Sequence, residues 1–197
     1  METEWNAQNY TDNFKFVHKY GEAVTDLITA PRGSLVVDVG CGNGALTKVL
    51  CDKGYDVIGI DSNEQMLEKA NILYPDINFM LCDATELELS EKADVIFSNA
   101  VFHWIDNQDK LVESLADNLK SNGQLVFEFG GKGCAQTVHS SLEKAFSDYG
   151  LTYHNGFNFK SVGEFAPLLE KHGFRVEFAT LFDRPTAQVG ENGLENW

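Results

Sequence analysis

Short apolar runs rich in β-branched residues alternate along this chain with segments whose apolar positions recur every three or four residues. The runs 35–39, 56–60, 77–81, 94–98 and 124–129 read as strands, and 45–53, 63–73, 107–119 and 135–148 as helices. Regular alternation of this kind predicts an α/β fold, a doubly wound, mostly parallel sheet with helices on both faces. Local punctuation agrees. Lys53-Gly54 and His172-Gly173 look like helix C-termini, and Ser62xxGln65 and Ser161xxGlu164 look like capping boxes. Ahead of the first strand, Asn13 to Ala30 reads as an amphipathic helix on Phe14, Val17, Val24, Leu27 and Ile28, closed by Pro31. Near the other end, Phe174 to Phe182 alternates well enough to be a sixth strand, which Pro185 terminates.

Chemistry concentrates where the first strand meets its helix, in LVVDVGCGNGAL, Leu35 to Leu46. An apolar run, an acid, three close glycines and a helical start predict a strand, a tight turn and a helix. Gly40, Gly42 and Gly44 supply the conformational freedom and the missing Cβ atoms that let a ligand approach the backbone. Asp38 precedes the turn, Asp61 ends the second strand in YDVIGID, and Asp83 ends the third in MLCDA. Three acids are thus expected at one edge of the sheet. Asp61 stands where such folds place the carboxylate for ribose hydroxyls, capping of the following helix being the main rival role.

These blocks, VDVGCGNG, GIDSN, CDATEL and DVIFSNAVFHWIDN, resemble those of the class I S-adenosylmethionine-dependent methyltransferases. SNAVFHW and a late FxxLLEKHGF followed by RPT are most similar to the trans-aconitate methyltransferase-like branch. The resemblance implies S-adenosylmethionine as cofactor, with Asp38 near its ammonium and the backbone of Gly40, Cys41, Gly42 and Gly44 along the methionine chain. It further implies Asp61 on the ribose diol, Asp83 with Ala84 at adenine, and Ser62 or Met66 packed on the ring. Asn99 and Ala100, at the end of the fourth strand, complete the cofactor set. His103 and Trp104 follow immediately, where the transferable methyl should point, and are the catalytic candidates. Read as isolated residues, the same pair would be a satisfied polar group and a packing indole. An N-terminal element lies over the cofactor in similar enzymes, which makes Trp5, Tyr10 and Tyr20 lid candidates.

The rival chemistry is a nicotinamide-type dinucleotide, because Gly40, Gly42 and Ala45 also fit the looser GxGxxG/A pattern. Charge separates the two: a pyrophosphate at that turn would face the Asp38 carboxylate, whereas an ammonium and a sulfonium are attracted to it. A third reading is a module that binds S-adenosylmethionine without turnover. Methyl transfer from a sulfonium is an in-line displacement that positioning can catalyse, and a carboxylate acceptor is already ionised at neutral pH. The sequence offers no obvious base, and the resemblance to carboxylate O-methyltransferases implies O-methylation of a small carboxylic acid as the expected reaction.

Composition narrows the partners. The 197 residues are 43% hydrophobic, enough for one domain with a real core, read as an N-terminal lid (1–31), a cofactor core (32–130) and an acceptor-side part (131–197). The net charge of −15 and only three arginines argue against a nucleic-acid surface. Against that charge, His103, Lys132, His154, Lys160 and Arg184 are the cations available to balance an acidic acceptor. Cys41, Cys51, Cys82 and Cys134 lack metal or CxxC spacing and read as free thiols; no metal site is expected. With no apolar run long enough for a bilayer and no leader pattern, a cytoplasmic protein without a membrane partner is expected. The family's sheet closes with a seventh, antiparallel strand, and related sequences continue past a segment like GLENW. The sequence accordingly reads as a fragment lacking that strand, able to pair or swap through the open sheet edge as a homodimer.

Overall fold

The computed structural model describes residues 15–186. Helix α1 (Lys15–Thr25) precedes β1 (Leu35–Val39), α2 (Ala45–Asp52), β2 (Asp56–Asp61), α3 (Glu64–Leu73), β3 (Asn78–Leu81) and β4 (Ala93–Asn99). Then follow α4 (Gln108–Asn118), β5 (Leu119–Glu128), α5 (Gln136–Asp148) and α6 (Val162–Lys171), with short 3₁₀ turns at Ala84–Glu86 and Phe102–Trp104. The strands form one sheet in the order β3-β2-β1-β4-β5, every neighbouring pair parallel. This is the α/β, Rossmann-like arrangement that the alternation predicts.

Strand periodicity sends successive residues of β1 and β4 to opposite faces, and both faces are buried. Val37, Val39 and Ile96 pack with Phe102, Leu111, Leu115, Phe165 and Leu169, beneath α4 and α6. Val36, Val95 and Phe97 pack with Val24, Ile28, Leu46 and Leu50, beneath α1 and α2. Strand order reverses between β1 and β4, so the carboxyl ends of these two strands open a crevice. All four cysteines are free.

Three expectations need correction. The first helix stops at Thr25 rather than running to Ala30: the Thr25 hydroxyl donates to Glu22 O at 2.7 Å, and the amides of Asp26, Leu27 and Ile28 turn back to carbonyls three residues earlier. That tightening unwinds the helix, and Leu27 is left half exposed. Second, α3 is capped not by Ser62 but by Asn63, whose side chain accepts from the Met66 amide at 3.0 Å. Third, Phe174 to Phe182 forms no strand. Phe174 and Val176 pack on the core, but Phe178, Leu181 and Phe182 lie exposed. Alternation encodes a face, whereas a strand also needs a neighbour to bond. The box Ser161xxGlu164 does form, Glu164 accepting from both the amide (2.9 Å) and the hydroxyl (2.6 Å) of Ser161.

Candidate active site

The turn after β1 is built by glycines with separate jobs. Gly40, Gly42 and Gly44 all have positive φ, 72°, 56° and 81°. A Cβ at Gly40 would overlap the Val101 side chain, and one at Gly44 would lie 2.6 Å from the Phe79 ring, so these two are demanded by packing. At Gly42 the nearest atom would be Met66 Cε at 3.7 Å, which leaves the middle of the turn open to a ligand. The amides of Gly40 and Cys41 both donate to Ile60 O, at 2.8 and 2.9 Å, pinning the turn to β2. Cys41 is buried and enters through its backbone.

Asp38 lies buried under this turn, its carboxylate accepting from the Thr47 hydroxyl at 2.7 Å. Burial pushes its carboxyl up to about 7, the Thr47 hydrogen bond opposes the rise, and the charge of Asp61 adds to it. Burial also raises Asp61, which is held by the amides of Gly42 and Asn63, each at 2.8 Å. Asp61 thus braces the glycine turn from the end of β2. Each of its oxygens keeps a further lone pair, so bracing and ribose binding are compatible. Asp83 caps the 3₁₀ turn beginning at Ala84, accepting from the Thr85 amide and hydroxyl, both at 2.8 Å. Met66 is buried beside Gly42, and Ser62 is exposed at the start of α3. Tyr10 and Trp5 lie outside the described residues; Tyr20, on α1, carries the Arg184 guanidinium over its ring at 4.5 Å.

Across the crevice, Asn99 ends β4 and Ala100 adopts φ 62°, its amide donating to Glu128 O at 2.7 Å. This kink delivers the Phe102–Trp104 turn to the sheet edge. His103 is boxed by aromatic rings, with centroids of Trp104 and Phe159 both at 5.5 Å and Phe157 at 5.9 Å. Its Nδ1 accepts from the Gly130 amide at 3.2 Å, and burial alone pulls its pKa down to about 4. Trp104 is half exposed and meets Phe157 edge-on at 4.5 Å.

Two residues that sequence reasoning passed over hold this turn. Buried Gln108 donates to Phe102 O at 2.9 Å, while the Asn158 amide donates to His103 O at 2.8 Å and its side chain to Ile105 O at 3.1 Å. No spacing in the sequence links position 158 to 103; only folding brings them together. His103 and Trp104 open onto a groove of about 2470 Å³ that runs along β5. Lys132, Lys160 and Arg184 also line it, the last in a bidentate pair with Glu128, one arm measuring 2.7 Å. His154, the remaining cation candidate, does not line the groove.

A parallel sheet with a glycine turn at its switch point, an acid beneath that turn and a second acid ending β2 define a Rossmann-like nucleotide-binding enzyme. Residues 37–127 match the family described as "Methyltransferase domain". The chain is 32% identical to the uncharacterized methyltransferase C70.08c of Schizosaccharomyces pombe, over 94% of this chain and 76% of that protein. It belongs to the class I S-adenosylmethionine-dependent methyltransferases, and S-adenosylmethionine is its cofactor. The malonyl-[acyl-carrier protein] O-methyltransferase of Acetivibrio thermocellus is 35% identical over 71% of this chain, and the trans-aconitate 2-methyltransferase of Agrobacterium fabrum 36% over 63%. The chain spans about half of each, 52% and 49%. A TehB-like S-adenosylmethionine-dependent methyltransferase from Corynebacterium glutamicum superposes with a TM-score of 0.63 at 21% identity, over 85% of this chain and 82% of its own. The dinucleotide-oxidoreductase reading is thereby set aside. No helix among the described residues is long and apolar enough to cross a membrane.

Proposed function

We propose that this protein methylates a carboxylate oxygen of a small acid, in the manner of the trans-aconitate methyltransferase-like branch. The observation that carries the reading is the pair of lysines lining the groove onto which His103 opens. In a chain of net charge −15, Lys132 and Lys160 line the same groove as His103 and Trp104, Lys160 directly after Phe159 of the aromatic box and joined to Lys132 by a backbone hydrogen bond of 3.1 Å. Their Coulomb attraction concentrates an anionic acceptor where the bulk field would repel it. One relative is named an O-methyltransferase of malonyl-[acyl-carrier protein] and another a trans-aconitate 2-methyltransferase, names that identify acids or their derivatives and support the same choice.

S-adenosylmethionine supplies a methyl group on a sulfonium. In this reading Asp38 and the open face of Gly42 receive the methionine part, Asp61 the ribose, and Asp83, Ala84, Ser62 and Met66 the adenine end. Asn99 and Ala100 close the crevice beside the sulfonium, and the aromatic box of His103 and Trp104 excludes water around the acceptor. Positioning at near-attack distance then does most of the catalytic work. The acceptor is a free small molecule, and neither nucleic acid nor membrane is a partner.

The decisive measurement is transfer of labelled methyl from S-adenosylmethionine to a panel of small mono-, di- and tricarboxylic acids, amines and phenols. Base-labile methyl esters are expected, formed fastest on di- and tricarboxylates. Labelled amines or ethers alone would overturn the carboxylate assignment, and no transfer despite calorimetric binding would favour a non-catalytic binding module. Asp61→Ala is expected to weaken cofactor binding by about 1.5–3 kcal/mol, since a charged acceptor is lost. Unchanged affinity in the folded variant removes Asp61 from the ribose.

A further inference from the structure

The Gly130 amide can only donate, so the Nδ1 atom it reaches, at 3.2 Å, must present a lone pair. A neutral imidazole with an unprotonated Nδ1 carries its proton on Nε2. The ring is held neutral by its surroundings: its aromatic neighbours are Trp104, Phe129, Phe157 and Phe159, and burial alone accounts for the lowered basicity. The titratable groups on the elements packed around that box are Glu128 at the end of β5, Lys132 and Cys134 beyond it, Asp106 after the 3₁₀ turn, His139 on α5 and Lys160 after Phe159. None of them contributes to the shift. Glu128 is engaged by Arg184, and Asp106 receives Asn158 Nδ2 at 3.2 Å.

We propose that His103 acts not as a base but as a fixed hydrogen-bond donor, its Nε2–H binding the acceptor carboxylate at the oxygen that is not methylated. This rests on the carboxylate reading above and deepens it to a residue role. No hydrogen bond joins Nε2 to another described residue, and His103 lines the groove, so the N–H is the ring's one remaining polar contact to give. A donor on one carboxylate oxygen fixes the plane of the group and turns the other oxygen toward the methyl carbon. That second oxygen forms the new O–C bond as the C–S bond breaks and its electron pair passes to sulfur. Carboxylate and sulfonium charges cancel, and no proton is left to remove. The site therefore needs no base, and it discriminates by chemistry: an ammonium or a phenol arrives carrying a proton that His103 cannot accept.

The tautomer is read without turnover, in the full chain labelled with ¹⁵N-histidine, by long-range ¹H–¹⁵N correlation with His103→Gln identifying the signals. The expected pattern is Nε2–H with an unprotonated Nδ1, unchanged from pH 6 to pH 8. An Nδ1–H tautomer or an imidazolium in that range overturns the proposal. Kinetics at saturating cofactor, with the best acid of the panel, supply the second arm. His103→Phe keeps an aromatic ring without the N–H and should lower acceptor kcat/KM about ten- to hundredfold with cofactor affinity unchanged. His103→Gln, whose amide N–H reaches the Nε2 position, should recover most of that loss. Equal losses in both variants, or a kcat limb near pH 6–7 that disappears in His103→Gln, would return His103 to packing or to base catalysis. If the panel instead yields only methylated amines while the tautomer stands, the carboxylate reading is what has failed.

Discussion

The centre of the sheet and its β5 edge obey different rules. Around β1 every group is constrained: Val36, Val37 and Val39 have no exposed surface, strands pair on both sides, and two glycines of the turn are fixed by the side chains of Val101 and Phe79. Beyond β5 the constraints relax. Among the described residues β5 pairs only with β4, and Phe178, midway along the alternating segment, is 71% exposed. Cofactor geometry is common to every acceptor the fold can serve, so its half is over-determined. In the reading proposed above, the acceptor half would set specificity through loops and the aromatic box, where positions can vary without unseating the sheet.

The sharpest way to break this contrast is Gly40→Val. A β-branched side chain at φ 72° would collide with Val101, and strain plus overpacking should cost about 4 kcal/mol or more. Chemical denaturation should show the loss, with cofactor binding abolished. A stable, cofactor-binding variant would mean that the turn is not the rigid half of the molecule.

Next comes the pH response of Asp38. Its carboxyl titrates near 7 in the fold against an ordinary 3.8, so the native state holds a proton that the unfolded chain releases. Stability from this group is greatest below about pH 4 and declines as pH rises to about 7, by up to ~4 kcal/mol in all. Asp38→Asn should abolish this slope and raise the melting temperature of the cofactor-free protein at pH 8, while weakening cofactor binding. The ligand's ammonium wants the ionised carboxylate, so wild-type affinity should rise about tenfold from pH 6 to pH 7.5 with release of a proton. Identical slopes in the wild type and Asp38→Asn, followed by thermal unfolding at several pH values, would remove Asp38 as the cause.

The smallest effect is expected at the open end. Phe178→Ser should change stability by less than about 0.5 kcal/mol, against about 3 kcal/mol for Leu50→Ala on the buried face of α2. Comparable losses for the two would show that the segment after α6 is as tightly packed as the core.

The sequence by itself determined the strands, the glycine turn and the acids, because these are local: a period of two, a period near 3.6 and a turn that only glycines can make are written in neighbouring residues. It also marked His103, through its place directly after the fourth strand. Tertiary structure decided the rest. Asn63 rather than Ser62 caps α3 because backbone geometry, not spacing, chooses the oxygen that reaches the Met66 amide. Phe174 to Phe182 has the pattern of a strand but gains no partner, since a hydrogen-bonded ladder belongs to two segments and a sequence pattern to one. The chemistry assigned to His103 turns on the Gly130 amide, 27 residues away, because a tautomer is set by the group facing the ring and not by the residues beside it in the chain.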